Sequence, residues 1–253
     1  MIIHIVDFFM KKFITVFIII ILAAVKPAES QSVQGIDLGS GYSIIPSVNY
    51  VSSATIQLNA FSLNQFERGL TEELSGGYGY GISIRKKLFN EDLSFGISTE
   101  YTKITDDEVT QTFQVDSVRA RGKVTEELWV IPVEFTGYFN IPNFSDDIEI
   151  YLGGGLGVYF GDRVRSIQNI KSKTISKEPG FSFVILSGME LLLSKQFSGV
   201  FEIRFRQGEY SVKSEFPVSF LNVNGITYPI DKNLNSNIFV DGLKLSLGIA
   251  YNF

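Results

Sequence analysis

The sequence contains no cysteine, and its only histidine is His4. The first absence excludes a disulfide framework, thiolate nucleophiles and a cysteine-linked lipid anchor. The second leaves everything after the first few residues without imidazole, so histidine-dependent acyl transfer or proteolysis has no base there. Beyond residue 25 no apolar run approaches the ~17–25 residues that a membrane helix needs. Any membrane crossing must then be made by strands. Net charge is −5 and the bases do not cluster, which argues against a nucleic-acid partner.

What is present is aromatic and glycine-rich: 22 Phe, 11 Tyr and 23 Gly, against one Trp. Near the start, Lys11 and Lys12 precede an unbroken apolar run, 13–25. Ala28 and Ser30 then stand at −3 and −1 of a cut before Gln31. This layout is a secretory signal peptide rather than an anchor, because the run is too short to span a bilayer. The expected division is a signal at 1–30 and one domain at 31–253. Residues 1–9 are unusual for a signal, being apolar with Asp7, so Met10 is the alternative start to Met1. The intact mass of the precursor decides between them.

Eight segments alternate with period two: 35–46, 77–88, 93–104, 126–139, 148–162, 181–193, 199–212 and 239–253. Each is long enough to cross a bilayer as a tilted strand of ~9–11 residues. In 243–253, Leu243, Leu245, Leu247, Ile249, Tyr251 and Phe253 share one face, and Lys244, Ser246, Gly248, Ala250 and Asn252 the other. Phe201, Ile203 and Phe205 likewise oppose Glu202, Arg204 and Arg206. Large apolar side chains outside, with glycine or charge inside, invert a soluble barrel's pattern. Ser40 and Lys86 break it. The connections alternate between short (90–92, 142–147, 194–197) and long (47–76, 105–125, 163–180, 213–238), as in transmembrane barrels. Tyr251, Phe253 and Phe139 are expected near the short-turn interface, and Tyr42 and Tyr101 near the long-loop one. The fold class is therefore an all-β, eight-stranded antiparallel up-and-down transmembrane barrel, with ten strands if 54–61 or the 213–238 hairpin also crosses. A soluble sandwich is the alternative.

By this parity, Asp37, Glu100, Glu134, Glu149, Glu190 and Glu202 point inward with Arg85, Arg204, Arg206 and Lys244. Eight strands leave only enough interior for side chains to fill. These charges should pair into a polar plug, since isolated buried charge is costly. A selectivity constellation at Arg204 and Arg206 is the sharper alternative. Gly153, Gly155 and Gly157 would then either widen the lumen or make way for Tyr151 and Tyr159.

No catalytic, cofactor or metal site is expected. The Asp pairs at 106–107 and 146–147 lack the spaced ligands of a calcium loop. "GGGLG" at 153–157 lacks the Lys-Ser/Thr of a phosphate loop and lies mid-strand. Recognition would live on the long loops. There Asn224-Gly225 between two strand-like runs signals a type I′ hairpin, expected to expose Phe220, Leu221 and Tyr228.

Residues 31–253 also resemble the small outer-membrane β-barrel proteins of Gram-negative bacteria, the group that includes the membrane domain of outer membrane protein A. "LWVIPVEFTGYF" at 128–139 is similar to the Ile-Pro-centred strand of Bacteroidetes-type barrels. "LGIAYNF" at the C-terminus resembles the signal read by the barrel assembly machinery, with Gly248, Tyr251 and Phe253 matching and Leu247 departing from the usual polar residue. The resemblance implies an outer-membrane location, with membrane lipid and the assembly machinery as partners. It implies no ligand. The role expected is structural or surface-interacting, through a plugged barrel with an extracellular ligand on the loops. A narrow porin-like barrel for small or hydrophobic solutes is the alternative, and the oligomeric state stays open.

Overall fold

The computed structural model describes residues 41–253 apart from 89–91, 143–144, 146 and 224. The expected signal, Asp37, Ser40, Asp146 and Asn224 lie outside the described residues.

In chain order the strands are β1 (Tyr42–Gln57), β2 (Thr71–Lys87), β3 (Leu93–Asp106), β4 (Thr110–Val115), β5 (Val118–Ile141), β6 (Ile148–Ile167) and β7 (Ile170–Lys171). They continue with β8 (Lys173–Glu178), β9 (Gly180–Leu192), β10 (Phe197–Glu215), β11 (Phe220–Val223), β12 (Ile226–Pro229), β13 (Asn233–Phe239) and β14 (Leu243–Asn252). A single helical turn, α1 (Gln65–Arg68), follows β1, and the Asn64 side chain caps it by accepting from the Phe66 N–H.

The wall is an antiparallel ring of eight strands, β1-β2-β3-β5-β6-β9-β10-β14, closed where β14 pairs with β1. Closure removes every sheet edge and rules out the sandwich. Beyond β9, β8 continues along β10; beyond β14, β13 continues between β10 and β1. Residues 54–57 lengthen β1 against β2 and add no further crossing, so the ring has eight members and not ten.

The first strand is displaced from its expected place. It begins at Tyr42, close to where 35–46 was to end, and Tyr42 therefore lies at the short-turn end. There its backbone N–H and C=O pair with Phe253 at 3.1 and 2.9 Å, and the two rings stack with centroids 6.1 Å apart. The long-loop aromatic row is instead Tyr50, Tyr78, Tyr80 and Tyr101, with Tyr50–Tyr78 and Tyr80–Tyr101 centroids 5.0 and 5.8 Å apart.

Two prolines each lack a ladder donor. Between β1 and β14 the register passes from Ile44↔Tyr251 to Ser47↔Gly248, skipping Pro46. Between β3 and β5 it passes from Thr99↔Val133 to Thr102↔Val130, skipping Pro132.

Most strands run well past the aromatic row, and β5 alone spans 24 residues, more than twice the ~9–11 needed to cross a bilayer. In this upper part the sides exchange character. Ile104, Leu128, Val212 and Ile238 point inward and are buried, while Lys103, Thr105, Glu127 and Lys213 face outward. In β1 and β2 the inward set shifts from Val51 and Gly77 to Ala54 and Leu74, so the two strands step parity together.

Candidate functional site: the barrel interior and its cap

Below the upper aromatic row, the outer face is apolar and bare. Ile185, Phe183, Phe205, Leu156, Ile97 and Phe135 are each 55–69% exposed. Left wet, each would forgo part of the ~1.5–3 kcal/mol that burial of such a side chain supplies. A closed wall with this surface belongs in hydrocarbon.

The interior is built in layers. Nearest the short turns, Tyr138 and Tyr151 cross the lumen beside Val184 and Leu186. The Arg85 guanidinium lies 4.3 and 4.8 Å from their ring centroids. Tyr151 rests on Gly188, where a Cβ would come within 2.4 Å of the ring. Tyr159 rests in the same way on Gly208. The tyrosines do cross the interior, but the glycines that make room for their rings are on the facing strands rather than in the 153–157 row.

Above this layer stands the charge network. Arg85 pairs with Glu202, which also accepts from the Tyr151 hydroxyl at 2.8 Å. Arg204 spans two carboxylates, Glu202 at 2.7 Å and Glu134 at 2.8 Å. Arg206 spans Glu100 at 2.6 Å and Glu134 at 3.1 Å, and Lys244 pairs with Glu100. Glu190 is buried at the short-turn end and its charge acts on Arg85. Arg85, Arg204, Arg206 and Lys244 thus face Glu100, Glu134, Glu190 and Glu202, and the layer is electrically balanced. Register explains the assembly: inward positions of β10 supply Glu202, Arg204 and Arg206, and the ring brings β2, β3, β5 and β14 round to meet them. Glu149 stands apart at the mouth, where it pairs with Lys87 at 3.1 Å and accepts from Asn140 at 3.3 Å.

The cavity left among Ser83, Arg85, Glu100, Glu202, Arg204 and Lys244 has about 20 Å³ of space, room for roughly one water molecule. The Gly153 row does not line it.

Higher still comes an apolar layer that includes Leu128, Val130, Tyr159, Tyr210 and Ile238. A second ionic layer follows. Glu126 receives a bidentate Arg163 at 2.8 and 2.9 Å, and pairs also with Arg165. Arg165 in turn holds Glu72 through two bonds of 2.8 and 3.0 Å. Arg163 and Arg165 fell in the segment expected to be loop, although the inward parity of Tyr159 and Gly161 leads to both.

The top is closed by the β11–β12 hairpin. It forms as expected, with Leu221 opposite Tyr228 and Gly225 at φ +84°. Its side chains are placed otherwise than expected. Only Phe220 of the three named residues is exposed; Leu221 and Tyr228 are each 1% exposed and join Phe113, Val124, Ile167, Phe216 and Leu234 in a separate core. The hairpin lies over the mouth instead of standing clear of it.

Outside the wall, Asp106 and Asp107 hold local structure. Asp107 pairs with Lys123 at 3.3 Å. Partial burial works against the charge on Asp106, but backbone N–H groups of Ser75 and Glu108 outweigh it and hold the carboxyl below the usual aspartate range.

No protein-family model and no curated protein matches the chain. Among solved structures, the outer membrane protein OprG from Pseudomonas aeruginosa is similar over 85% of this chain and 96% of its own, at 11% identity and a TM-score of 0.55. Neisserial surface protein A is similar over 85% and 98% at 14% identity, TM-score 0.43. Ail of Yersinia pestis is similar over 85% and 100% at 13% identity, TM-score 0.39. The first of these carries the comparison, and with the ring and its bare apolar belt it gives the conclusion: this chain has the fold of the small outer-membrane β-barrels.

Proposed function

We propose that the protein is an integral outer-membrane barrel with a plugged lumen, acting structurally or through its loop-side surface, and not as an enzyme. The observation that carries the reading is the stack of filled layers between the short turns and the cap. No step along it leaves more than a water-sized space, and a solute would have to break ion pairs and then displace an apolar core. Gly248, Tyr251 and Phe253 would serve as the signal for the assembly machinery. Their chemistry suits that role: Tyr251 and Phe253 stand outward at the short-turn end with rings 5.8 Å apart.

Purified protein in planar bilayers tests the plug. The expected trace is flat apart from rare noise, for the native chain and after Leu221→Ala alike. Regular ion-selective steps in the native protein, lost on Arg204→Ala, would favour the porin-like reading.

A further inference from the structure

Lys86 breaks the apolar alternation of β2, and its surroundings explain what it does there. Among the described residues it is the one charged side chain on the outer face between the two aromatic rows, and none of their carboxylates pairs with it. Its ammonium sits 4.6 Å from the Tyr42 ring centroid, at the short-turn interface. Leading away from it is a groove of about 370 Å³ on the outer wall, lined by Ile82, Ile84, Lys86, Phe95, Ile97 and Phe135.

The groove has a structural cause. Phe95 is paired with Gly137 on β5. With no side chain at Gly137, the Phe95 ring leans over it, 3.3 Å from where a Cβ would stand, and stacks on Phe135 with centroids 5.7 Å apart. Phe95 thereby moves off β2 and uncovers the strip between Ile84 and Ile97, which are directly paired. From Lys86 to Ile82 this strip runs roughly 13 Å along the strand, close to the ~15 Å hydrocarbon depth of one leaflet.

We propose that this groove holds one acyl chain of a phospholipid from the leaflet on the short-turn side, with the lipid phosphate on Lys86. The charge complementarity selects a phospholipid over other occupants. A second copy of the chain would bring another lysine to the same place, and a neutral partner would leave the cation unpaired at the edge of hydrocarbon. The inference rests on the outer face being lipid-facing.

The test is native mass spectrometry of the full-length protein released from a phosphate-free detergent, titrated with a palmitoyl-oleoyl phosphatidylglycerol. Three proteins are compared: the native chain, Lys86→Gln, and Ile84→Trp, which fills the groove while leaving an apolar outer face. Retained lipid should fall about fivefold in Lys86→Gln, the value of one basic residue near anionic headgroups, and at least as far in Ile84→Trp. Equal retention in all three would overturn the proposal. So would dimers of the native chain that disappear in Ile84→Trp, which would assign the groove to a second copy. Each sample is also run unheated and boiled on a gel. A heat-dependent mobility shift with no lipid retained refutes the groove alone, whereas absence of the shift refutes the lipid-facing wall beneath it.

Discussion

Arg204 draws together more of the interior than any neighbouring side chain, because it donates to Glu202 and Glu134 and also approaches Ser98 and Tyr138 at 3.3 and 3.4 Å. An ion pair buried this deeply is not in itself strongly stabilising, since desolvation offsets most of the attraction. Removing one member is a different matter. Arg204→Ala leaves Glu202 and Glu134 each short of a cation, and should destabilise the barrel by about 3–5 kcal/mol. Urea unfolding of the barrel in lipid vesicles reads this directly, and an unchanged midpoint would mean that water reaches the network. At this scale the sequence was informative wherever the membrane-type alternation held. Arg85, Glu100, Glu134, Glu202, Arg204, Arg206 and Lys244 share inward faces by parity alone. Lys87 and its pairing with Glu149 were not foreseen, because Lys87 sits where β2 gives way to the turn. Arg163 and Arg165 were missed for a different reason, which belongs to the strands that carry them.

Each strand keeps its period of two past the upper aromatic row, yet its amphipathic sign reverses. On β10, Phe201, Ile203 and Phe205 face out with Arg204 and Arg206 facing in, whereas five to ten residues on, Tyr210, Val212 and Phe216 are the buried ones. A search for apolar-out alternation stops at that reversal. This is why the sequence reading ended segments at 104, 162 and 212 and assigned the remainder to loops. The true connections are shorter and the wall taller. The cap hairpin was legible in its turn chemistry but not in its burial, which depends on residues from β4, β5, β6 and β13 arriving at one place. Because the cap has its own core, it should loosen without the barrel. Leu221→Asp puts an uncompensated charge in that core, and should bring rapid trypsin cleavage after Lys232 while the gel mobility shift persists; a resistant hairpin would show that the core does not hold it. Phe253 acts at the other end, clasping Tyr42 across the closure of the ring. Deleting it should lower outer-membrane assembly in cells sharply while purified protein still refolds into detergent. Equal loss in both settings would reduce Phe253 to a packing residue.

Taken whole, one continuous sheet meets two solvents. Its lower part carries apolar side chains outside and ion pairs inside, and its upper part carries apolar side chains inside and polar ones outside, with Tyr50, Tyr78, Tyr80 and Tyr101 near the boundary. Eightfold closure, antiparallel order and the identity of the short-turn end were readable from the sequence, because each follows from alternation and turn length. The height of the barrel above the membrane was not, because it needs the reversal to be recognised as continued strand. The absence of cysteine makes this claim directly measurable. Single cysteines at Ile97 and Phe205 in the belt, and at Thr105 and Lys213 above it, would each be the only thiol in the chain. With the protein reconstituted in lipid vesicles, a membrane-impermeant maleimide should label positions 105 and 213 rapidly and spare 97 and 205, while bilayer-embedded quenchers should reach fluorophores only at 97 and 205. Labelling of all four at similar rates would contradict the account, because the apolar belt would then be standing in water.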